Sequence, residues 1–565
     1  MTQRMLLAGF IGVLLLAFTP FAVGMISILL PALGWQPLTN TWVDTQHVWL
    51  ELWQQPELVN ALLRTLVSGV VATLLALVCA YALVAKLSQT QFGHWLGAVA
   101  APLLSIPHSA AAIGLAFLLA PSGWLFRLVS PWLTDWQRPP NLITIQDPYT
   151  LSLILALVLK EMPYLVFVMM AIARQDKIRQ LLTTSQQLGY PPLITWGKLL
   201  PTLFYRELRL PIFIVLSFNL TVVDVAQILG PDTPPTFAVL LLHWFQDPAI
   251  DRIPIASAGA LLLLALVAAV SIGWELCARS LLSYLKNLTL TGSRQQPLLE
   301  WGLRFAYLLS LLLLALAFLA LLVLPIWGFA QRWRFPDLWP QSWSFDTFWR
   351  IQQPLLELTA NTFMLGVTSV MLALLASLLL LEVSRILTRY TSLIMILFYL
   401  PLVLPQIGFL FGIHISLIVI ELHHPFWTTA YLHWLYVLPY VLLTLKGPYL
   451  AFNQNYLDEA IRLRPHPLRN YLGIKLAMLK PALFTATAIG FAVSVAQYLP
   501  TLIGGEGRLS TLTTEAVAQA VAGDRKRVGL VAMTQALLPL LAFLLAALLP
   551  RIWTPLRLRL KYPHA

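Results

Sequence analysis

The chain has 565 residues, of which 59% are hydrophobic and only 11% charged, with a mean hydropathy of +0.77 and a net charge of +12. Soluble domains carry roughly 25% charged residues, so a water-soluble globular class is excluded and a polytopic membrane protein remains. Two cysteines, Cys79 and Cys277, offer neither a disulfide framework nor metal-ligand spacing. The positive charge is what cytoplasmic loops beside anionic lipid carry, so it requires no nucleic acid.

A membrane-spanning helix needs roughly 20 mostly apolar residues to cross a ~30 Å hydrocarbon core. In chain order, such runs predict helices near 6–32, 60–85, 95–120, 149–173, 208–228 and 255–280, then near 303–328, 358–383, 392–420, 426–449, 482–503 and 528–552. The first run exceeds the roughly 7–15-residue apolar region of a signal peptide, and its counterpart at 303–328 cannot be one, so it is read as a span. The expected fold is all-α and polytopic, with about 12 transmembrane helices in two six-helix halves, 1–282 and 301–565. A cytoplasmic linker, 283–300, joins them, its polar part being Ser283–Gln296. Six is an even number, so the halves lie parallel rather than inverted.

Two polar interruptions repeat in register. Thr183 to Pro192 aligns with Asp458 to Pro467. On the flanks, Met162-Pro163-Tyr164 pairs with Leu438-Pro439-Tyr440, Leu229-Gly230 with Ile503-Gly504, Pro107 and Gly114 with Pro405 and Gly412, and Thr65 with Thr362. A change of offset between these matches places a longer loop in the first half, at Pro121 to Asp147. Internal self-similarity of this kind decides the architecture before any local motif does.

Most Lys and Arg fall on the side of the repeated loops when the N-terminus is placed inside, as the excess of basic residues in cytoplasmic loops requires. They include Arg174, Lys177, Arg179, Lys198, Arg206 and Arg209 around the first loop and Arg462, Arg464, Arg469, Lys475 and Lys480 around the second. Arg557, Arg559 and Lys561 follow in the tail. Arg525-Lys526-Arg527 runs against this pattern, on a segment placed outside. The reading is therefore a multi-pass protein with both termini cytoplasmic. Outside, Trp35, Trp42, Trp49 and Trp53 in one loop and Trp327, Trp333, Trp339, Trp343 and Trp349 in the other suit an interfacial aromatic belt. The segments 231–251 and 505–524 are expected to fold back as outer helices.

Each repeated loop, about 174–206 and about 450–481, has a helix-compatible polar start, a Pro-containing turn and an amphipathic stretch. Proline stops the first helix and sets the direction of the second, and a short surface helix can present an apolar knob to a partner groove. The pattern resembles the "EAA" loop of binding-protein-dependent ABC importer permeases, in which Glu-Ala-Ala is followed after three residues by Gly and later by a Pro opening the next span. In the first copy Thr183, Thr184 and Ser185 replace Glu-Ala-Ala, Gly189 is kept, Pro192 follows the turn and Pro201 closes the motif one residue early. In the second, Asp458, Glu459 and Ala460 keep the acidic start and Pro467 follows the turn. There Arg464 stands where Gly is expected, Ala477 takes the place of the closing proline, and Pro481 comes four residues later. Over nearly its whole length the chain is similar to fused two-half permeases such as those for thiamine and ferric iron, and most to the YnjC-type permeases. The resemblance implies a type I (MetI-like) importer core in a bacterial inner membrane. It also implies two copies of a cytoplasmic ATP-binding subunit, a periplasmic solute-binding protein and a small solute moved by alternating access.

The chain has no Gly-x-x-x-x-Gly-Lys-Ser/Thr phosphate loop, no His-Glu-x-x-His and no Gly-x-Ser-x-Gly. It is accordingly read as a non-enzymatic transport subunit that binds no cofactor itself, ATP and Mg belonging to the partner ATPase. His108, His414, His423, His424 and His433 are scattered and suggest no metal site. Polar groups on membrane spans are tolerated where they meet water or each other. Asn219, Thr221, Asp224 and Gln227 on the fifth span, and Ser494, Gln497 and Tyr498 on its counterpart, are therefore candidates for the translocation path. Thr221 and Asp224, three apart, are expected to share a helix face. Lys160 and Glu161, in mid-span, are further candidates for the path; they carry a burial cost of at least ~3 kcal/mol each and point about 100° apart, so they are not expected to pair with each other, and one is expected to reach a neighbour or a water-filled cavity. Arg64 is expected to snorkel outward. An alternative reading, an ion-gradient-driven secondary transporter with two parallel six-helix halves, would use Asp224, Lys160 and Glu161 for coupling.

Overall fold

The computed structural model describes residues 3–37, 39–88, 90, 105–387, 397–402, 404–421, 424–463 and 465–552, and within them the chain is helical apart from two short hairpins. Parts of the third spans expected in each half lie outside the described residues, as do Arg464, His423, Arg557, Arg559 and Lys561. In the first half α1 (Gln3–Ala32) leads through β1 (Trp35–Gln36) and β2 (Thr41–Trp42) into α2 (Thr45–Gln54) and α3 (Leu58–Leu87). Next come α4 (His108–Leu119), α5 (Trp124–Val129), α6 (Leu151–Ala173), α7 (Asp176–Gln187) and α8 (Pro192–Lys198). The half ends with α9 (Leu200–Thr221), α10 (Asp224–Leu229), α11 (Phe237–Gln246) and α12 (Arg252–Leu290). The second half repeats the plan with α13 (Pro297–Phe329), β3 (Ala330–Arg332), β4 (Ser342–Trp343), α14 (Asp346–Ile386), α15 (Gln406–Val419) and α16 (Pro425–Leu450). It finishes with α17 (Asn455–Leu463), α18 (Pro467–Asn470), a π-helical turn at Tyr471–Lys475, α19 (Leu476–Met478), α20 (Lys480–Val495), α21 (Leu499–Gly504), α22 (Leu512–Ala522) and α23 (Arg525–Ile552).

Eight of these helices are long and apolar enough to cross a membrane, or up to ten if two helix pairs bent by 72° and 76° each count as one span. The expected number was about 12, and the physical reasons for the shortfall are local. α9 carries Arg206, Glu207 and Arg209 in its first half, and α15 has only 14 residues. Both fifth spans are also broken, α9 from α10 at Val222–Val223 and α20 from α21 at Ala496–Tyr498. Between the halves α12 runs on to Leu290 and α13 begins at Pro297, so 291–296 lie outside a helix.

The duplication seen in the sequence reappears in side-chain contacts. Thr65 on α3 accepts a hydrogen bond from the Phe237 amide at 2.8 Å, at the start of α11. Thr362 on α14 accepts one from the Leu512 amide at 2.9 Å, at the start of α22. The fold-back segments expected after the fifth spans are thus helices α11 and α22, each pinned to the second span of its own half. Arg64 does not simply snorkel, since its guanidinium donates to the Pro234 carbonyl in front of α11.

The first span of each half packs against the opposite half. α1 crosses α15 where a Cβ on Gly412 would overlap the Gly24 carbonyl, and α13 crosses α4 where a Cβ on Gly114 would overlap the Ala320 carbonyl. Glycine is required at both places because backbone meets backbone. Outward-facing side chains such as Leu15 and Leu16 on α1 and Leu308 and Leu312 on α13 are exposed, as lipid-facing positions are.

At the end of the bundle bearing the hairpins, the longer first-half loop caps the second half. Buried Arg127 donates to the carbonyls of Arg334 and Asp337, each at 2.8 Å, and lies over the Trp333 ring. Trp124 donates to the Leu338 carbonyl at 3.1 Å. Trp327 and Trp333 are therefore packed, while Trp42, Trp53, Trp339, Trp343 and Trp349 stay exposed at belt positions.

Gly114→Val and Gly412→Val are each expected to destabilise the protein by about 1–3 kcal/mol or more through overpacking, read as a lower thermal midpoint in detergent. Gly273→Ala, with nothing within 4 Å of the added carbon, should be neutral or stabilising by up to about 1 kcal/mol.

Candidate coupling loops and central polar cluster

The first repeated loop is a helix–turn–helix built on one left-handed residue. α7 ends at Gln187, and Gly189 at φ +80° turns the chain so that Pro192 opens α8. Buried Ser185 bonds to the Thr195 hydroxyl at 2.9 Å, which fixes the angle between the two helices. Thr183, by contrast, is exposed and donates only to the Arg179 carbonyl. Below α8, Tyr81 donates to the Trp196 carbonyl at 2.5 Å and packs edge to face with Trp196 and Phe204, which are tilted against each other.

The second loop is more open. Asp458 and Glu459 on α17 are exposed, Ala460 is half-buried, and Pro467 opens α18. Its support is ionic. Buried Lys475 donates to Glu382 on α14 at 2.8 Å and lies over the Tyr449 ring at 3.8 Å. Tyr449 also donates to Glu382, and Arg385 sits 3.9 Å from the same carboxylate. Burial pulls the Lys475 ammonium below its ordinary pKa, and Glu382 acts in the opposite sense. The next span opens with a proline in both halves, Pro201 in the first turn of α9 and Pro481 in that of α20. Pro481 is thus the closing proline of the second copy; Ala477 lies inside the added turn of α19.

Leu188 and Leu463 hold the same position in the two copies, and both are highly exposed, at 59% and 89%. Each sits where its first loop helix ends.

Midway through the bundle a second group of residues gathers at the junction of the halves. Tyr164 on α6 and Tyr440 on α16, equivalent by the repeat, lie within electrostatic reach of one another and of Glu161. Glu161 is 3.2 Å from His108 Nε2, and the imidazole packs on Phe218. Asp224, buried at the start of α10, is within electrostatic reach of His108 and Tyr498. Lys160 turns away and donates to the Ile106 carbonyl. The two adjacent charges therefore serve different neighbours, as their 100° separation requires.

Other candidates bond to neighbouring helices or within their own. Asn219 donates to Thr73 at 3.0 Å, and Thr221 returns its hydroxyl to the Ser217 carbonyl. The shared face expected for Thr221 and Asp224 does not form, because the helix breaks between them. Ser494 bonds to His433 Nδ1 at 2.7 Å and accepts from Ser369 at 3.2 Å; His433 Nε2 lies 2.8 Å from the Thr501 hydroxyl. The Gln497 carbonyl accepts from Thr501, and Gln227 is half-buried on α10 beside the cluster. His108, Tyr164 and Tyr440 were not read as site residues from the sequence. The repeated Pro-Tyr pair was the available signal for the tyrosines. Among the described residues no group of three or more His, Cys, Asp and Glu side chains could hold a metal ion.

Over 536 residues, 94% of this chain and 94% of the other, the sequence is 29% identical to the inner membrane ABC transporter permease protein YnjC of Escherichia coli strain K12. Over nearly its whole length the chain is thus similar to an inner membrane ABC transporter permease. No family model matches it, and no solved structure does. Similarity over so much of both chains covers the two loops and the central cluster of the permease together.

Removing the Ser185 hydroxyl (Ser185→Ala) should cost about 1 kcal/mol, and His433→Phe, which takes one partner from each of two buried hydroxyls, about 1–3 kcal/mol. Thr183→Ala should stay within about 0.5 kcal/mol. Thermal unfolding in detergent separates the three.

Proposed function

We propose that this permease moves a small solute, handed over by a periplasmic binding protein, across the inner membrane by alternating access. Two copies of a cytoplasmic ATP-binding subunit dock on the repeated loops and hydrolyse ATP with Mg. The observation that carries the reading is the pair Leu188 and Leu463, two large apolar side chains left in water at equivalent positions of a duplicated loop. An exposed apolar side chain on a short helix end fits a groove on a partner, and two equivalent ones fit two copies of the same partner. The loop end is then cytoplasmic, with both termini on that side, and the hairpin end faces the binding protein.

The central cluster is the proposed path. It draws residues from both halves, Tyr164 on α6 and Tyr440 on α16 among them, so rocking of one half against the other changes its access to either side. Glu161, His108, Asp224, Tyr164, Tyr440 and Tyr498 line it, with Gln227 and Gln497 at its margin. Asn219 and Ser494 hold the surrounding helices, Thr221 bonds back within α9, and Lys160 anchors α6 to the chain ahead of α4. Both fifth spans break at this depth, which frees backbone carbonyls for a polar solute.

Purification with the ATP-binding subunit and binding protein encoded beside it, followed by reconstitution in vesicles, tests the proposal. Hydrolysis is expected to rise when the loaded binding protein is added. Leu188→Asp and Leu463→Asp should each cut co-purification of the ATP-binding subunit by at least about tenfold, as loss of a buried apolar anchor does. Glu161→Gln should leave that association intact and lower uptake. Uptake driven by a proton or sodium gradient without an ATPase would refute the proposal.

A further inference from the structure

The two loops are held from behind by different means, and the difference involves the segment that fuses the halves. In the second half, Lys475 is held by Glu382, within that half. In the first, buried Lys198 donates at 2.8 Å to the Ser293 carbonyl, in the connection between α12 and α13. Three further contacts follow the same line. Tyr190 donates to the Gly292 carbonyl at 3.2 Å, and the Arg294 guanidinium lies 5.7 Å from the Tyr190 ring centre. A Cβ on Gly189 would come within 3.3 Å of Arg294, so the left-handed turn of the loop and the linker are fitted to each other. Finally, Gly197 on α8 gives room to Leu299 in the first turn of α13. Resting on the proposed function, we infer that 291–296 is more than a tether: it is a strut that positions the first coupling loop, with Lys198 as its positioning residue.

The mechanical consequence follows from the crossing of α13. This helix begins at the first loop and packs on α4 near the centre of the bundle, where Ala320 meets Gly114. A pull on α8 reaches α13 through Lys198 and Leu299, and so enters the second half's first span directly. A pull on α17 and α18 enters α14 through the Lys475–Glu382 pair. Two identical ATP-binding subunits would therefore act on unequal levers, one of which contains the linker.

The test places a photo-crosslinking apolar amino acid at position 188 or 463 of the full chain, reconstituted with its ATP-binding subunit. Cross-linking is compared in the Lys198→Met, Lys198→Arg and Arg294→Ala backgrounds. Lys198→Met is expected to reduce the cross-link from 188 about tenfold, the size expected for loss of one charge-assisted hydrogen bond, and to leave the cross-link from 463 unchanged. Lys198→Arg should restore it. Arg294→Ala, at an exposed position, should reduce it in the same direction without affecting folding, and the 463 cross-link reports that the protein is intact. Equal cross-linking from 188 in all backgrounds, or parallel loss at both positions, overturns the inference while the proposed function stands. Absence of cross-linking from both positions in the unaltered chain overturns the proposed function and the inference with it.

Discussion

Close backbone crossing at two related glycines is the constraint on which this architecture rests. Within lipid there is no hydrophobic force to press one apolar helix on another, so association depends on close packing and on satisfied polar groups. α1 and α13 leave their own halves and lie against α15 and α4, with backbone on backbone at Gly24–Gly412 and Ala320–Gly114. Each half is thereby clasped by the other's first helix, and Tyr164 on α6 comes within electrostatic reach of Tyr440 on α16. The central cluster exists because of that clasp.

The same arrangement separates rigid from deformable parts. The second spans are long, and they are stitched to the fold-back helices through Thr65 and Thr362. The fifth spans are broken, and beside the break in the first half lie buried Asp224 and, with it, half-buried His108 paired to buried Glu161. Charge is costly in such a place unless it is partnered, and here each group has one.

Much of this was legible beforehand, and particular residues show why. Periodic Thr, Gly and Pro matches such as Thr65/Thr362 and Gly114/Gly412 exposed the duplication because each residue type answers a backbone requirement that recurs in both halves. Leu188 and Leu463 fell at equivalent positions of the aligned loops. The central cluster was legible only in part: Asp224, Glu161 and Tyr498 stood out as polar groups in apolar runs, while His108, Tyr164 and Tyr440 did not. Histidine and tyrosine are tolerated in many spans, and only their neighbours mark them as a group. The expectation for Thr221 and Asp224 failed because it assumed a continuous helix, and the break at Val222–Val223 carries no proline or glycine to announce it.

Composition and periodicity by themselves determined that the chain is a helical membrane protein with a duplicated plan and two loops of one kind, because these follow from how many apolar residues a bilayer needs and from local backbone preferences. Tertiary structure alone decided which half each first helix joins, which neighbours Lys160 and Glu161 serve, and that Lys198 answers to the linker while Lys475 answers to Glu382. Those outcomes depend on contacts between residues as far apart as Lys198 and Ser293 or His108 and Glu161, and no local pattern records which distant side chain will arrive at a given face.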